Sequence, residues 1–502
     1  MAIGFRWKLA AGACAAIMVA AGASSAGAES LNDAISLAYQ TNPALQGQRA
    51  QLRFTDENYV QARAGYLPTV NASSQGAFTW QKLGQRFNKG CTTSIFGKQC
   101  IDLTPESSQL SATLTVNQPI YTGGRATAQV RAAEADILAG REDLRRIEGQ
   151  VMLGVIQAYV DIRRDERALE IRKENVVVLQ RQVDEARARF DVGELTRTDV
   201  AQSEAQLADA EGQLSRAQAQ VAFSRAAYAA VVGQSPGTLD PEPAFEIFPA
   251  TVEQAFETAQ QNNPSIRKSD YSEQAAEANL SEAKAKRMPT VGLQAQYGYN
   301  QPLHPWTPEL YTRSLTAGVV VTQPFFSGGA VSSQIRQAVE QENFARLQGE
   351  QARRQADQDI SQFWNSVLSA RANIKANEEQ VRAARIAFEG ARAEQQVGLR
   401  TTLEVLNAQL VLSNAELQLI SARHDEYVAS ASLLNTMGLL EAKNLVPAIV
   451  LEPGSHSVEQ LKRAFGYIPV LEEGVSALDS VGGPKVRPLP PKLDAPVATS
   501  KP

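Results

Sequence analysis

Polarity along the chain changes between two periods. Over Thr69–Trp80 it alternates residue by residue, with Val70, Ala72, Phe78 and Trp80 against Asn71, Ser73, Gln75 and Thr79. Gln109–Asn117 repeats this, with Leu110, Ala112, Leu114 and Val116 between Ser111, Thr113 and Thr115. A third stretch sets Val291, Leu293, Ala295, Tyr297 and Tyr299 against Gln294, Gln296 and Asn300, and a fourth, Leu315–Val321, is more apolar throughout. A period of two predicts β-strands with one apolar and one polar face. We place them at 69–80, 109–119, 290–300 and 313–323.

Elsewhere the period is helical. Ala34, Leu37, Ala38, Leu45 and Leu52 recur at three- and four-residue steps within Leu31–Gly65, and Val252–Arg287 is its partner. Each holds an Asn-Pro pair, Asn42-Pro43 and Asn263-Pro264. Each pair is expected to end a short helix and cap a longer one. Two proline-free stretches follow the strands, Arg125–Phe190 and Ala330–Gln396, rich in Ala, Gln, Arg and Glu. Val130, Ile137, Leu144, Val151, Val155, Tyr159 and Ile162 form an apolar stripe along the first. About 65 helical residues at 1.5 Å each span roughly 100 Å. Val192-Gly193 and Val397-Gly398 break these rods, and return helices complete hairpins over 125–232 and 330–437.

The two halves are copies. LSATLTVNQPIYTGG (Leu110–Gly124) corresponds to LTAGVVVTQPFFSGG (Leu315–Gly329), with Pro119 and Pro324 separated by 324 − 119 = 205 residues. Gly193/Gly398, Thr196/Thr401 and Gly233/Gly438 keep that offset. A constant offset defines an internal repeat without insertions, as long helical rods enforce. We expect repeat 1 over 29–240, repeat 2 over 241–440, a C-terminal segment over 441–480 and a disordered tail over 481–502, where the sequence turns Pro/Lys-rich.

Composition sets the compartment. Arg6 and Lys8 precede an apolar run ending at Ala23, and Ala26-Gly27-Ala28 offers a cleavage site, so 1–28 reads as a secretory signal peptide. Lipidation at Cys14 is the weaker reading, because the apolar run continues past it. In an exported chain Cys91 and Cys100 are expected to form a disulfide; metal binding is the weaker alternative, with no third ligand near. His304, His424 and His456 are too scattered to suggest a metal site. A net charge of −5 without a basic stripe argues against nucleic acid as a partner. There is no phosphate loop, nucleophile elbow or metalloprotease motif, so we expect neither catalysis nor a cofactor.

Beyond the leader there is no apolar run of about 18 residues or more, and hence no membrane-spanning helix is expected. Alternating strands about ten residues long, with Trp80, Tyr299 and Tyr311 near their ends, suit a membrane β-barrel. A soluble half-buried sheet is the bland alternative. Four strands cannot close a barrel, and an open edge in lipid costs several kcal/mol per unpaired group. Two chains would give eight strands, too narrow for a wide lumen; three would give twelve.

The export signal, the duplicated helix–strand–strand–helix plan, the QP-x-[YF]-x-GG entries and the VG-x-x-T tips resemble the TolC-type outer-membrane efflux and secretion channels over roughly residues 30 to 440. The resemblance implies an α+β membrane protein, in which a homotrimer forms a 12-stranded barrel in outer-membrane lipid above a long α-helical barrel crossing the periplasm. It implies recruitment by an inner-membrane transporter and a periplasmic adaptor protein. By the same resemblance, Arg400 would bond to Thr198 or Asp199 across hairpins and hold the entrance shut. Glu404 would form an acidic ring that favours cations and binds multivalent metal ions. The chain departs from the family at Gln395, where a latch Tyr can stand, and at Asn407, where a second acidic ring can. Alternatively, Asp199 and Arg400 merely cap helices near a turn. Val192, Gly193, Val397, Gly398 and Leu399 would form the adaptor docking surface, since small exposed turns permit close backbone approach. The competing readings are a periplasmic coiled-coil adaptor or scaffold, which needs the hairpins but not the strands, and an exported enzyme.

Overall fold

The computed structural model describes residues 29–80, 89–102, 106–245, 247–304, 309–446, 449, 461 and 468–485. The leader expected over 1–28, the end of the tail from 486, and most of 447–467 in the C-terminal segment lie outside these residues.

The Asn-Pro pairs act as joints. α1 (Leu31–Thr41) stops at Asn42, whose side chain accepts from Ala44 N and caps α2 (Pro43–Arg63). Asn263 does the same between α5 (Val252–Asn262) and α6 (Pro264–Ala285). The missing N–H of proline at the first helical position is no loss there. Each Asn amide also donates to the end of a return helix: Asn42 to Val231 O at 2.9 Å, and Asn263 to Thr436 O at 2.7 Å.

The rods are α3 (Arg125–Asp191) and α7 (Ala330–Gln396), 67 residues each. Their return helices are α4 (Arg197–Val232) and α8 (Thr402–Thr436). α3 is the common wall element. Toward its N-terminus it packs between α2 and α6; further along it packs between α4 and α8. The largest core lies midway, where Ile35 and Tyr39 of α1 meet Met152, Ile156, Tyr159 and Ile162 of α3 and Tyr228, Tyr427 and Leu434 from the return helices. Among the described residues of the C-terminal segment, two short helices follow, α9 (Ala442–Leu445) and α10 (Pro469–Asp479).

The strands are β1 (Thr69–Trp80), β4 (Glu106–Tyr121), β5 (Thr290–His304) and β6 (Thr312–Thr322), in one antiparallel sheet of order β1-β4-β5-β6. β2 (Lys89–Ser94) and β3 (Gly97–Asp102) form a separate hairpin within the longer loop of repeat 1, which periodicity did not anticipate. In it Cys91 and Cys100 face one another in register. The expected end of the second strand at Pro119 needs correction. β4 runs on to Tyr121, because a register shift between Pro119 and Tyr121 absorbs the missing N–H. The expected start of the tail at 481 also moves: Gly483 and Pro484 pack against Gly124.

The register decides what the sheet is. Val70, Val116, Ala295 and Ala317 form one row across all four strands, and Ala72, Leu114, Tyr297 and Leu315 the next. Between them run Asn71, Thr115, Gln296 and Thr316, then Ser73, Thr113, Gly298 and Ser314. Alternate residues point to opposite faces, so across these rows one face is apolar and the other polar. β1 and β6 leave the two edges unpaired within the chain. Val319, Leu315 and Phe78 stay exposed.

Candidate channel entrance and family

The two helical tips are built alike. α3 ends at Asp191; Gly193 adopts φ +80°, and its N–H bonds back to Phe190 O at 2.9 Å. α7 ends at Gln396; Gly398 adopts φ +79°, and its N–H bonds to Gln395 O at 2.9 Å. These left-handed positions admit glycine at little cost. Thr196 then caps α4 and Thr401 caps α8.

The third residue of each new helix is acidic, and this is where the site predictions meet. Asp199 and Glu404 are the same position, 404 − 199 = 205 residues apart. Asp199 closes a capping box: its Oδ2 accepts from Thr196 N at 3.0 Å and from Thr196 Oγ1 at 2.7 Å. These bonds hold its carboxyl below the usual carboxylate range. Glu404 accepts from Thr401 Oγ1 at 2.9 Å, which lowers its pKa likewise.

Arg400 has no counterpart in tip 1, where Leu195 stands. Its guanidinium donates to Glu394 and, at 3.0 Å, to Glu404 Oε2. The bond to Glu394, then the charge of Glu394, raise the arginine pKa. Within one chain, therefore, Arg400 engages its own tip rather than Thr198 or Asp199, and Asp199 engages its own cap. Thr198 is exposed. Gln395 is buried beneath the second tip and donates to Thr402 Oγ1 at 3.3 Å. The expected docking residues crown the tips, with Val192, Val397 and Leu399 each at least 70% exposed.

The sequence offers no mark for Glu394, which lies six residues before Arg400 on the other side of the turn. A second cluster was also missed, because His424 looks isolated in sequence. Its ring nitrogens lie 2.9 Å from Asp161 and 3.0 Å from Asp425, beside Arg164, which bonds to Asp165 at 2.8 Å. Burial opposes a charge on His424, but the two carboxylates outweigh it and raise its pKa. His424 thus ties α8 to α3 through Asp161, and among the described residues no group of metal ligands is gathered.

Two copies of a strand–rod–tip–return unit, joined to a two-faced sheet, match the model for outer membrane efflux proteins over residues 34–234 and 255–439. The chain belongs to the outer membrane efflux protein family. A relative, the outer membrane efflux protein BepC of Brucella suis, is 33% identical over 417 residues, covering 83% of this chain and 87% of BepC. The outer membrane protein TolC of Vibrio cholerae is 26% identical over 432 residues, covering 84% and 93% respectively. Among solved structures, the outer membrane protein VceC of Vibrio cholerae superposes with a TM-score of 0.69 at 23% identity, covering 81% of this chain and 96% of VceC. Family membership places the chain in the outer membrane as an efflux protein. The adaptor reading is not favoured, since it leaves the family's sheet without a purpose.

Proposed function

We propose that three copies close one duct, which a periplasmic adaptor and an inner-membrane transporter recruit for tripartite efflux or type I secretion. One observation carries this: a sheet four strands wide, apolar on one face and polar on the other, with both edges open. Pairing β6 of one copy with β1 of the next removes every edge, puts the polar face on the lumen and turns the apolar face to lipid.

The repeat supports the same closure in the helices. Within the chain α3 packs on α8. The equivalent contact, α7 on α4, needs a neighbouring copy. Phe223 on α4 and Leu368 on α7 are both at least half exposed. They stand at matching heights above the tips, 223 − 196 = 27 residues past Thr196 and 397 − 368 = 29 before Val397. The pairing of Cys91 with Cys100 as a disulfide belongs to this proposal; directly opposed antiparallel residues have Cα atoms about 4.5–5.5 Å apart, within disulfide reach.

At the entrance, the latch reading requires Arg400 to reach a neighbouring hairpin in the closed trimer. The arginine also compensates the Glu404 ring, and the two roles separate experimentally. In single-channel recordings, Arg400→Ala should raise the closed-state conductance and increase cation preference. A shift in preference with an unchanged closed level would reject the latch and leave the compensation. Glu404→Gln should move the reversal potential in a salt gradient toward anions; no movement would remove Glu404 from the pore.

Docking is tested with cysteines at Val192 and Val397, in a chain whose Cys91 and Cys100 are serine. Crosslinks to a co-expressed adaptor are expected during transport. Active transport without any crosslink would overturn the docking surface.

A further inference from the structure

The helix α10 is built inside out. Its two buried acids face the wall: Glu472 pairs with Arg63, and Asp479 accepts from Thr122 and Gly124 beside the first turn of α3. Val475 and Leu471 complete that face against Tyr66, Ala126 and Val130. At about 100° per residue, Val470 and Ala477 point directly away from the wall, with Gly474 on one side of them and Glu473 on the other, Leu478 at the flank and Val481 just beyond the helix. Val470 is 86% exposed and Val481 69%. Glu473 is the one acid on the exposed side. A water-facing helix shows the opposite arrangement, with charges outward and apolar residues inward.

Its height is fixed. Thr122 and Gly124, the residues Asp479 holds, follow directly on Tyr121, the last residue of β4. α10 therefore sits where the strands end and the rods begin. It also sits on one particular side of the wall. Ala126, Val130 and Ile137 continue into Val155 and Ile162 as a single stripe of α3, and α1 covers that stripe lower down. In a closed trimer such an added layer has room only on the outside.

We propose that the exposed face of α10 rests in the periplasm-facing leaflet of the outer membrane, with phospholipid as its partner. This rests on the trimeric barrel proposed above. Val470, Ala477, Leu478 and Val481 continue the apolar outer face of the sheet down to the interface, as an interfacial helix inserts its apolar side about 5–10 Å into a bilayer. Lipid fits better than a second copy because Val470 and Ala477, at the centre of this face, point away from α3 rather than sideways along the wall.

The test uses the full trimer in vesicles of phosphatidylethanolamine and phosphatidylglycerol. Spin labels are attached at Val470→Cys, Leu478→Cys and, as a control on the apolar face of β6, Val319→Cys, with Cys91 and Cys100 replaced by serine. Oxygen partitions into bilayers; a nickel chelate stays in water. Labels at 470 and 478 should collide with oxygen more than with nickel, at shallower depth than the label at 319. Free access of nickel at 470 and 478 would put α10 in water and overturn the proposal. Protection from both reagents there would put protein on this face and overturn it too. If 319 reads lipid while 470 and 478 do not, α10 fails and the barrel stands; if 319 itself reads water, the barrel reading fails and takes α10 with it.

Discussion

Gly438→Ala should lose far more stability than Gly233→Ala, although the two glycines are the same position of the repeat. Both end a return helix region with positive φ, +73° and +96°, so both variants carry the strain of a side chain in the left-handed region, about 1–2 kcal/mol. They differ in what the new methyl group meets. At Gly233 it faces the Thr41 hydroxyl at 3.3 Å, a side-chain atom that can give way. At Gly438 it lands 2.3 Å from Asn262 O, 2.8 Å from Asn262 C and 3.0 Å from Pro264 Cδ. Those are backbone and ring atoms of the α5–α6 joint, and the neighbouring Asn263 amide is bonded to Thr436 O. The joint must shift, adding overpacking of about 1–3 kcal/mol and costing the tie between α8 and the joint. Thermal unfolding of the detergent-solubilised protein, followed by helical circular dichroism, should show a clearly larger drop for Gly438→Ala. Equal midpoints for the two variants would refute the close approach at Gly438.

The contrast between these glycines also marks how far sequence carries. The glycines, the Asn-Pro joints and the alternating strands are readable because each is a local rule: a conformation one residue permits, a cap within three residues, a face repeated every second residue. The repeat offset then aligns Asp199 with Glu404 before any coordinates exist. Partners far apart in sequence carry no such mark. Nothing near Arg400 reveals whether it turns to its own tip or to a neighbouring hairpin, and Glu394 wins within the chain because it is tethered one turn away. His424 looks solitary until α8 lies on α3 and brings Asp161 beside it. The β2–β3 hairpin lies in a polar, Gly-containing stretch with no apolar face to set a period. The two-faced sheet is the case where local and distant agree: alternation predicts each strand's faces, and the register lines up those faces across four strands.

Asp479→Ala is expected to destabilise the base of the sheet strongly, and no motif announces it. The carboxylate is fully buried. Its Oδ1 accepts from Thr122 N at 2.6 Å, Thr122 Oγ1 at 2.9 Å and Gly124 N at 3.0 Å, and its Oδ2 accepts from Thr127 Oγ1 at 3.1 Å. It stands at the positive end of α3, where a negative charge is favourable. Alanine leaves several buried donors unpaired, each costing about 1–3 kcal/mol, and it unfastens α10 from the strand-to-rod junction. Repeat 2 provides the control. Ser327 occupies the place of Thr122, and there no carboxylate among the described residues receives it, so Ser327→Ala should be nearly silent. Asp479→Asn keeps one acceptor oxygen and should recover part of the loss. Amide hydrogen exchange at Gly124, Ala126 and Thr127 reads the effect directly: faster exchange in Asp479→Ala, intermediate exchange in Asp479→Asn. Unchanged protection in Asp479→Ala would mean that the junction holds itself and that the C-terminal segment is a passenger on it.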